Sequence, residues 1–283
     1  MADVLFRCEP RFWIMNSLPF AARIPLAMAL LSLGSLRPSF AAESAPPMAA
    51  GELASRLSAL RQDGASYVRL RMEIKGAKPE TLQLQIKQRL TKAGSEIVYQ
   101  VLFPKERKGE SVLLKKPGNR PATGSLFTPP NTVRAISDMK EPMLGSDLSY
   151  EDITDNFYAW EQQAIVGNET VDGVACQILE SKPGKADRST YGSVRSWIDS
   201  RRLVPLRIEK YSGSGQVLRR IDTTRVVADG ARHIPADLIV HGSRADSSTL
   251  LDGSRIKHDV SYTDGDFSVE GLKEVAAPRG SPE

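Results

Sequence analysis

The 283-residue sequence holds only two cysteines and three histidines. Two thiols cannot build a disulfide framework, and so few sulfur and imidazole ligands argue against a structural zinc. Long hydrophobic runs are also missing. The longest, Ile24 to Leu36, is thirteen residues, short of the roughly 17 to 25 needed for a spanning helix. The nucleophile-elbow pattern Gly-x-Ser-x-Gly occurs nowhere, which removes the best sign of a serine hydrolase. No twin-arginine pair precedes the apolar run, which argues against export of a prefolded, cofactor-loaded protein, and no cofactor is expected. Neither sign of charge dominates, with 38 Lys and Arg against 34 Asp and Glu. What is present is globular in kind: 41% apolar residues together with 21 glycines can bury a core.

Arg23 precedes the apolar run, and Ser39-Phe40-Ala41 places small residues three and one positions before a cut. Residues 1–41 are therefore expected to be a Sec signal peptide, with residues 42–283 as one periplasmic, soluble domain. Starting at Met15 would give a conventional signal of 27 residues, which leaves Met1 and Met15 as alternative starts. No cysteine follows the apolar run to carry a lipid anchor. Removing 1–41 takes four basic and two acidic residues, leaving 34 against 32. Cys176, the thiol that remains, sits in the apolar stretch Val174 to Leu179 and is expected in the core.

Leu53, Leu57 and Leu60 recur at helical spacing and predict a helix over Glu52 to Arg61. Val68, Leu70, Met72 and Ile74 alternate with charged residues, as Leu82, Leu84 and Ile86 alternate with Gln and Lys. Two paired strands follow, with one dry face and one facing water. Further strands are predicted at Glu96–Phe103, Glu110–Lys115, Gly124–Thr128, Phe157–Val166, Val174–Ser181, Thr190–Asp199, Val204–Tyr211, Gln216–Val227, Ala231–His241 and Ser254–Thr263. Turn dipeptides such as Asp172-Gly173 and Asp229-Gly230 separate them. So many antiparallel strands suggest a curled or closed sheet. Between Ser137 and Asn156 the alternation fails and Ser149 stands three residues before Asp152, which predicts a loop with a short capped helix.

The run Met143-Leu144-Gly145-Ser146-Asp147-Leu148-Ser149-Tyr150-Glu151-Asp152 is followed by Val171-Asp172-Gly173, by Ser196-Trp197-Ile198-Asp199 and by Leu203-Val204-Pro205-Leu206-Arg207. In this order the segments resemble the LolA-like outer-membrane lipoprotein-sorting protein family, over about residues 52–275. The resemblance implies a mainly β fold, an antiparallel curled sheet forming an incomplete barrel with an N-terminal helix and a short helical lid. It also implies an apolar concave face of the kind used by periplasmic carriers of lipid-modified proteins. The chain departs from the pattern at Gly124-Ser125-Leu126-Phe127-Thr128-Pro129-Pro130.

A carrier needs a dry surface that competes with the membrane for acyl chains, at roughly 0.8 kcal/mol per methylene. Met72, Leu84 and Ile86 on the inward strand face are candidates, with Met143, Leu144, Tyr150, Phe157, Trp160 and Trp197 at the mouth or lid. Ordinary core packing accounts for the same residues. His258 shares strand parity with Ile256, Val260 and Tyr262, and an inward imidazole could bond a ligand carbonyl or headgroup. Asp147, Glu151 and Asp152 read as capping and loop closure, and lack the spacing of a calcium loop.

Lys105, Arg107, Lys108, Lys115 and Lys116 gather around a predicted hairpin. They read either as a membrane-docking edge, each charge adding about 1 kcal/mol near an anionic leaflet, or as a solvated edge that blocks strand pairing. The function expected is a non-enzymatic periplasmic carrier or chaperone for lipid or lipoprotein acyl chains. Its partners would be an inner- or outer-membrane protein and, transiently, the membrane surface; nucleic acid is not expected. The alternatives are a sensor module on the same scaffold, signalling through a protein partner, and a hydrolase using His258 or the Asp147 to Asp152 cluster.

Overall fold

The computed structural model describes residues 47–275, apart from 62–63, 92–93, 119, 188 and 243–245. The expected signal segment and Met15 lie outside the described residues. The chain divides into two units, residues 1–43 and 44–283, and every described residue belongs to the second. Among the described residues no helix is long and apolar enough to cross a membrane.

The order of elements is α1 (Ala50–Arg61), β1 (Ala65–Lys75), β2 (Glu80–Thr91), β3 (Gly94–Phe103), β4 (Ser111–Lys116), β5 (Thr123–Thr128) and β6 (Thr132–Ala135). Then come α2 (Tyr150–Thr154), β7 (Gln162–Val171), β8 (Val174–Lys182), β9 (Ser193–Asp199), β10 (Val204–Tyr211), β11 (Val217–Asp229), β12 (Arg232–His241) and β13 (Ser248–His258). The strands form one antiparallel sheet, ordered β6-β5-β4-β3-β2-β1-β13-β12-β11-β10-β9-β8-β7. The sheet does not close: β6 and β7, consecutive in the chain, are its two edges. Thirteen strands at about 4.8 Å would set the edges of a flat sheet about 58 Å apart. Residues 136–161 nonetheless join them while folding into short helical turns. The sheet is therefore an incomplete barrel with the connection laid across its concave side.

Cross-strand pairs follow the alternation. Val68 faces Ile86, Leu70 faces Leu84 and Met72 faces Leu82, which puts six apolar side chains on one face. Met72, Leu82 and Leu84 join Val101, Val112, Leu114, Val240 and Leu251 in a core completed by Met143, Leu144 and Tyr150 from the connection. A second core lies under α1, where Leu53, Ala54 and Leu57 meet Phe157, Trp160, Leu179, Val194 and Ile198. The predicted helix is thus extended at its start; Leu53 and Leu57 are buried as the spacing predicts, whereas Leu60 is only half-buried and Ala54 enters the core instead.

The polar face of β1 and β2 does not all see water, contrary to expectation. Gln85, Lys87 and Gln100 are among the most buried side chains, because the chain after β13 returns across the convex side. Gln85 Nε2 donates to Gln100 Oε1 at 2.8 Å, and Tyr67 Oη donates to Gln85 Oε1 at 3.0 Å. Gln100 Nε2 donates to the carbonyl of Glu274 at 3.0 Å, and Lys87 Nζ lies 3.2 Å from Asp266 Oδ1. Phe267 and Leu272 complete this outer cluster with Val98, Leu113 and Phe127. Periodicity shows which residues share a face, but not that a segment 174 to 179 positions away will cover it.

Three predicted boundaries shift for identifiable reasons. Phe157–Ala159 is a 3-10 turn rather than the start of a strand. Gln163 Nε2 donates to the carbonyls of Phe157 and Trp160, each at 3.0 Å, and holds that turn closed. Strand β9 begins at Ser193, not Thr190, because Thr190 is bound to Glu151. Strand β13 ends at His258, where Asp259 takes a left-handed φ of 54°. The exposed edge strand β6 was not foreseen.

Phe267 is fully buried, with its ring edge-on to Tyr262 at 5.2 Å and the Arg89 guanidinium 4.5 Å above it. Phe267→Ala is expected to lower unfolding stability by about 3 to 5 kcal/mol. Urea denaturation would measure this, and hydrogen exchange should show added opening in β2 and β3 before β8 and β9.

Candidate functional site

The connection between the sheet edges begins its crossing with a tight turn at Met143–Gly145, where Leu144 has φ 52° and Gly145 φ 88°. Glycine meets the second left-handed position without a Cβ penalty. Asp147 then ties the connection to the start of β13. Its Oδ1 accepts from Ser247 Oγ at 2.7 Å and its Oδ2 from Thr249 Oγ1 at 2.9 Å, while its own N–H donates to Thr249 Oγ1. Gly242 makes room for this carboxylate, since a Cβ there would come within 2.7 Å of Asp147 Oδ1.

Ser149 caps α2 as its spacing predicted. The backbone N–H of Asp152 donates to Ser149 Oγ, and Asp152 Oδ2 accepts from the backbone N–H of Ser149 at 2.8 Å. The carboxylate does more than cap. Lys210 Nζ of β10 lies 2.7 Å from Asp152 Oδ1, and Arg219 Nε of β11 is 2.8 Å from Oδ2. The Arg219 contact is ionic rather than a hydrogen bond, because its N–H is not aimed at an acceptor. Tyr191 Oη donates to Asp152 Oδ1 at 2.8 Å. Glu151 accepts from Ser189 Oγ at 2.7 Å and from the backbone N–H of Thr190 at 2.8 Å. Each of the three acids of the motif thus fastens the connection to a different part of the sheet or its loops.

Burial alone would raise the Asp152 carboxyl, but Lys210 and Arg219 outweigh it and hold the group down at about 2. Burial, followed by the neighbouring Asp152 charge, pushes the Tyr191 hydroxyl up, so it stays protonated and donating. Lys210 is itself enclosed, its ammonium 4.9 Å from the Tyr191 ring centre and 5.4 Å from that of Phe157.

Below the latched turn lies a chamber of about 170 Å³. Its walls include Val68, Leu70 and Met72 of β1, Ile86 and Tyr99 opposite, Met143 and Leu148 above, and Leu238, Leu251 and Gly253 at the far side. A larger depression of about 410 Å³ beside α1 is lined by Ser55, Ser58, Trp160 and Gln163. It opens outward and is as polar as it is apolar, so it suits an apolar ligand less well than the smaller chamber.

The predicted ligand residues fall into separate places. Met72, Leu84, Met143, Leu144 and Tyr150 share the concave core, and Ile86 joins Met72 and Met143 in the chamber wall. Phe157 and Trp160 pack under α1, away from this group. Trp197 lies in a third cluster with Val171, Cys176, Val204 and Leu206, its indole N–H donating to Glu169 at 2.8 Å. Cys176 is buried as expected, and burial followed by the nearby Asp199 charge pushes its thiol up to about 11. His258 is not among apolar neighbours: its Nε2 is 2.9 Å from Asp229 Oδ2, and Arg232 lies against the ring.

The basic group divides as well. Arg107 is not available to a membrane, because it bonds Glu80, Glu110 and the carbonyl of Leu144. Lys115 pairs with Glu96 at 2.7 Å, and with Lys116 it sits at the opposite end of β4 from Lys105 and Lys108. Only Lys105 and Lys108 of the five are exposed. Sequence reasoning missed Tyr99 and Leu238, which the parity of Val101 and Val240 could have indicated, and Lys210, an in-strand lysine with no local sign of its acid partner.

A family model described as "-like: Uncharacterized protein" matches residues 95–274. No curated protein matches the chain. Among solved structures, the chain is similar to a DUF1329 family protein from Desulfovibrio piger, with 24% identity, a TM-score of 0.72, and 78% of this chain and 97% of that one covered. It is similar to a structure described as an outer membrane lipoprotein-sorting protein domain from Vibrio parahaemolyticus, with 21% identity, a TM-score of 0.71, and coverage of 80% and 98%. A LolA superfamily protein from Nitrosomonas europaea matches with 19% identity, a TM-score of 0.64, and coverage of 80% and 100%.

Asp152→Asn leaves Lys210 buried with its charge no longer balanced, which is expected to cost about 3 to 5 kcal/mol in urea unfolding at neutral pH. The wild-type carboxyl is held below its usual 3.8, so its stabilising effect is present above 3.8 and is lost as the pH falls toward about 2. The variant should lack that part of the acid-induced loss, measurable as a shallower fall of the unfolding midpoint across this range.

Proposed function

The chain belongs to the LolA-like family, and on that footing we propose that it is a periplasmic carrier that takes acyl chains of lipids or lipoproteins onto the concave face of its sheet. The observation that carries this reading is the chamber between the latched turn and strands β1, β12 and β13, walled by Leu70, Met72, Ile86, Met143 and Leu238. An apolar cavity of about 150 Å³ is large enough to take up benzene, so 170 Å³ admits the end of an acyl chain. A longer chain has to displace Met143 and Leu148, and the unbranched Met143 side chain adapts readily to such a change. Each methylene withdrawn from water contributes roughly 0.8 kcal/mol, so even a short insertion competes with exposure to solvent.

The commitment of Asp147, Glu151 and Asp152 to holding the connection supports binding without covalent chemistry. Lys105 and Lys108 are the cations of the original basic group that remain exposed for a transient membrane contact.

Native mass spectrometry with lipid extraction, on protein recovered from the periplasm of its own or a related host, tests the reading. A stoichiometric acylated adduct is expected, and Leu70→Asp or Leu238→Asp should abolish it while circular dichroism remains unchanged. Absence of any adduct, together with no uptake of offered lipids or lipopeptides, would overturn the proposal.

A further inference from the structure

Strand β3 carries one extra residue where it meets the start of β2. Val101 faces Leu84 and Phe103 faces Gln83, so Leu102 has no partner of its own. Without this bulge Phe103 would share the inward parity of Tyr99 and Val101. With it, Phe103 stands on the outer face opposite the exposed Gln83. Phe103 is 52% exposed, more than any other large apolar side chain among the described residues. The turn that follows brings two further apolar groups to the same place. A Cβ at Gly109 would lie 3.2 Å from Pro129 Cγ and 4.0 Å from Val275 Cγ2, and both Pro129 and Val275 are exposed.

The charge around this patch is one-sided. Arg107 Nη1 lies 2.5 Å from Glu80 Oε2 and its Nη2 lies 2.6 Å from Glu110 Oε2. This fastens the β1–β2 turn to the β3–β4 turn and occupies two of their three acids. Lys75 and Lys78 of the first turn and Lys105 and Lys108 of the second are exposed, and among the described residues none of the four forms an ion pair. Glu106 is the acid left over within the two turns, while Asp246 of the β12–β13 turn and Glu274 before Val275 are exposed at the flanks. An aromatic ring among unmatched lysines has the composition of an interfacial anchor. The ring leaves water at the acyl boundary, and the lysine stems keep their ammonium groups at the headgroups.

We propose that this rim, made of the β1–β2 and β3–β4 turns, docks the protein on an anionic lipid leaflet, with Phe103 inserted and Lys75, Lys78, Lys105 and Lys108 on the headgroups. The inference rests on the carrier reading for its purpose and adds which end of the sheet meets the membrane and what enters it. An anionic leaflet supplies the charge that the four lysines lack, and attracts each of them within a Debye length. Arg107 Nη1 also reaches the Leu144 carbonyl at 3.4 Å, so the docked rim is tied to the turn above the chamber.

Flotation of the intact chain with vesicles of phosphatidylcholine, with and without about one-third phosphatidylglycerol, tests the proposal. Binding is expected with phosphatidylglycerol, and loss of it at about 1 M salt. Lys75→Gln/Lys78→Gln should weaken binding about 25-fold, at roughly 5-fold for each lysine. Phe103→Ser should weaken it about 10-fold. Lys116→Gln/Arg120→Gln removes the same charge from the opposite end of β4 and should change little, so equal weakening by the two double variants overturns the proposal. Phe103→Trp gives a readout that does not depend on losing affinity. Quenching of its added emission by brominated lipid is expected, and its absence on bound protein overturns the insertion. A dimer that Phe103→Ser disperses, found in place of vesicle binding, would assign the patch to a second copy and overturn docking. Failure of the wild type to float while it still carries an acyl adduct sinks this inference alone, and flotation without any adduct sinks the acyl-binding reading alone.

Discussion

The two edges of the sheet are neighbours in the chain, and a buried carboxylate holds the segment that joins them. Asp152 caps the one short helix of that segment and, at the same time, meets Lys210 and Arg219 from strands near the other edge. A charge so enclosed is tolerable only where its partners are placed by the rest of the fold, and those partners are themselves enclosed. The ion cluster and the curl of the sheet therefore require each other. With the connection laid across the concave face, Met143, Leu144 and Tyr150 become a lid over strands β1 to β4 and part of their core.

The concave face is thereby divided. Leu82, Leu84, Val101, Val112 and Leu114 meet the lid in a packed core, whereas Val68, Leu70, Ile86, Tyr99 and Leu238 beside them line a chamber. The packed part is tied by a buried acid and an internal arginine, Arg107, which bonds the Leu144 carbonyl. The chamber is bordered by strands whose pairing is interrupted by bulges, a proline and a glycine. Rigidity and openness sit side by side on one sheet, a division a carrier can use: one region holds the scaffold while its neighbour admits a guest.

Much of this was legible in the sequence. Alternation in β1 and β2, the turn dipeptides and the capping spacing of Ser149 and Asp152 each depend on neighbours within a few positions, and each describes the folded chain correctly. The failures have a common cause. The strand carrying Gln85 and Lys87 gives no sign that Asp266 and Leu272 will cover that side. Trp197 and Phe157 share apolar chemistry with Met143, yet the sheet puts the three in different clusters. Charge composition does not distinguish exposed lysines from Arg107, which Glu80 and Glu110 hold.

By itself the sequence determined the class of the fold, the strand faces and the motif that closes the connection, since all of these follow from backbone geometry and short-range periodicity. Which apolar residues enclose space and which merely pack was decided by tertiary structure alone. The difference between Leu84, which is buried in a core, and Leu70, which lines a chamber, is set by what lies opposite each one. The same holds for the acids. Asp147, Glu151 and Asp152 could have been a reactive cluster, and only the placement of Thr249, Thr190 and Lys210 made them three separate fastenings. Those partners lie roughly 40 to 100 positions away in the chain, and the pairing free energy that selects them exists only once the sheet has brought them within contact distance.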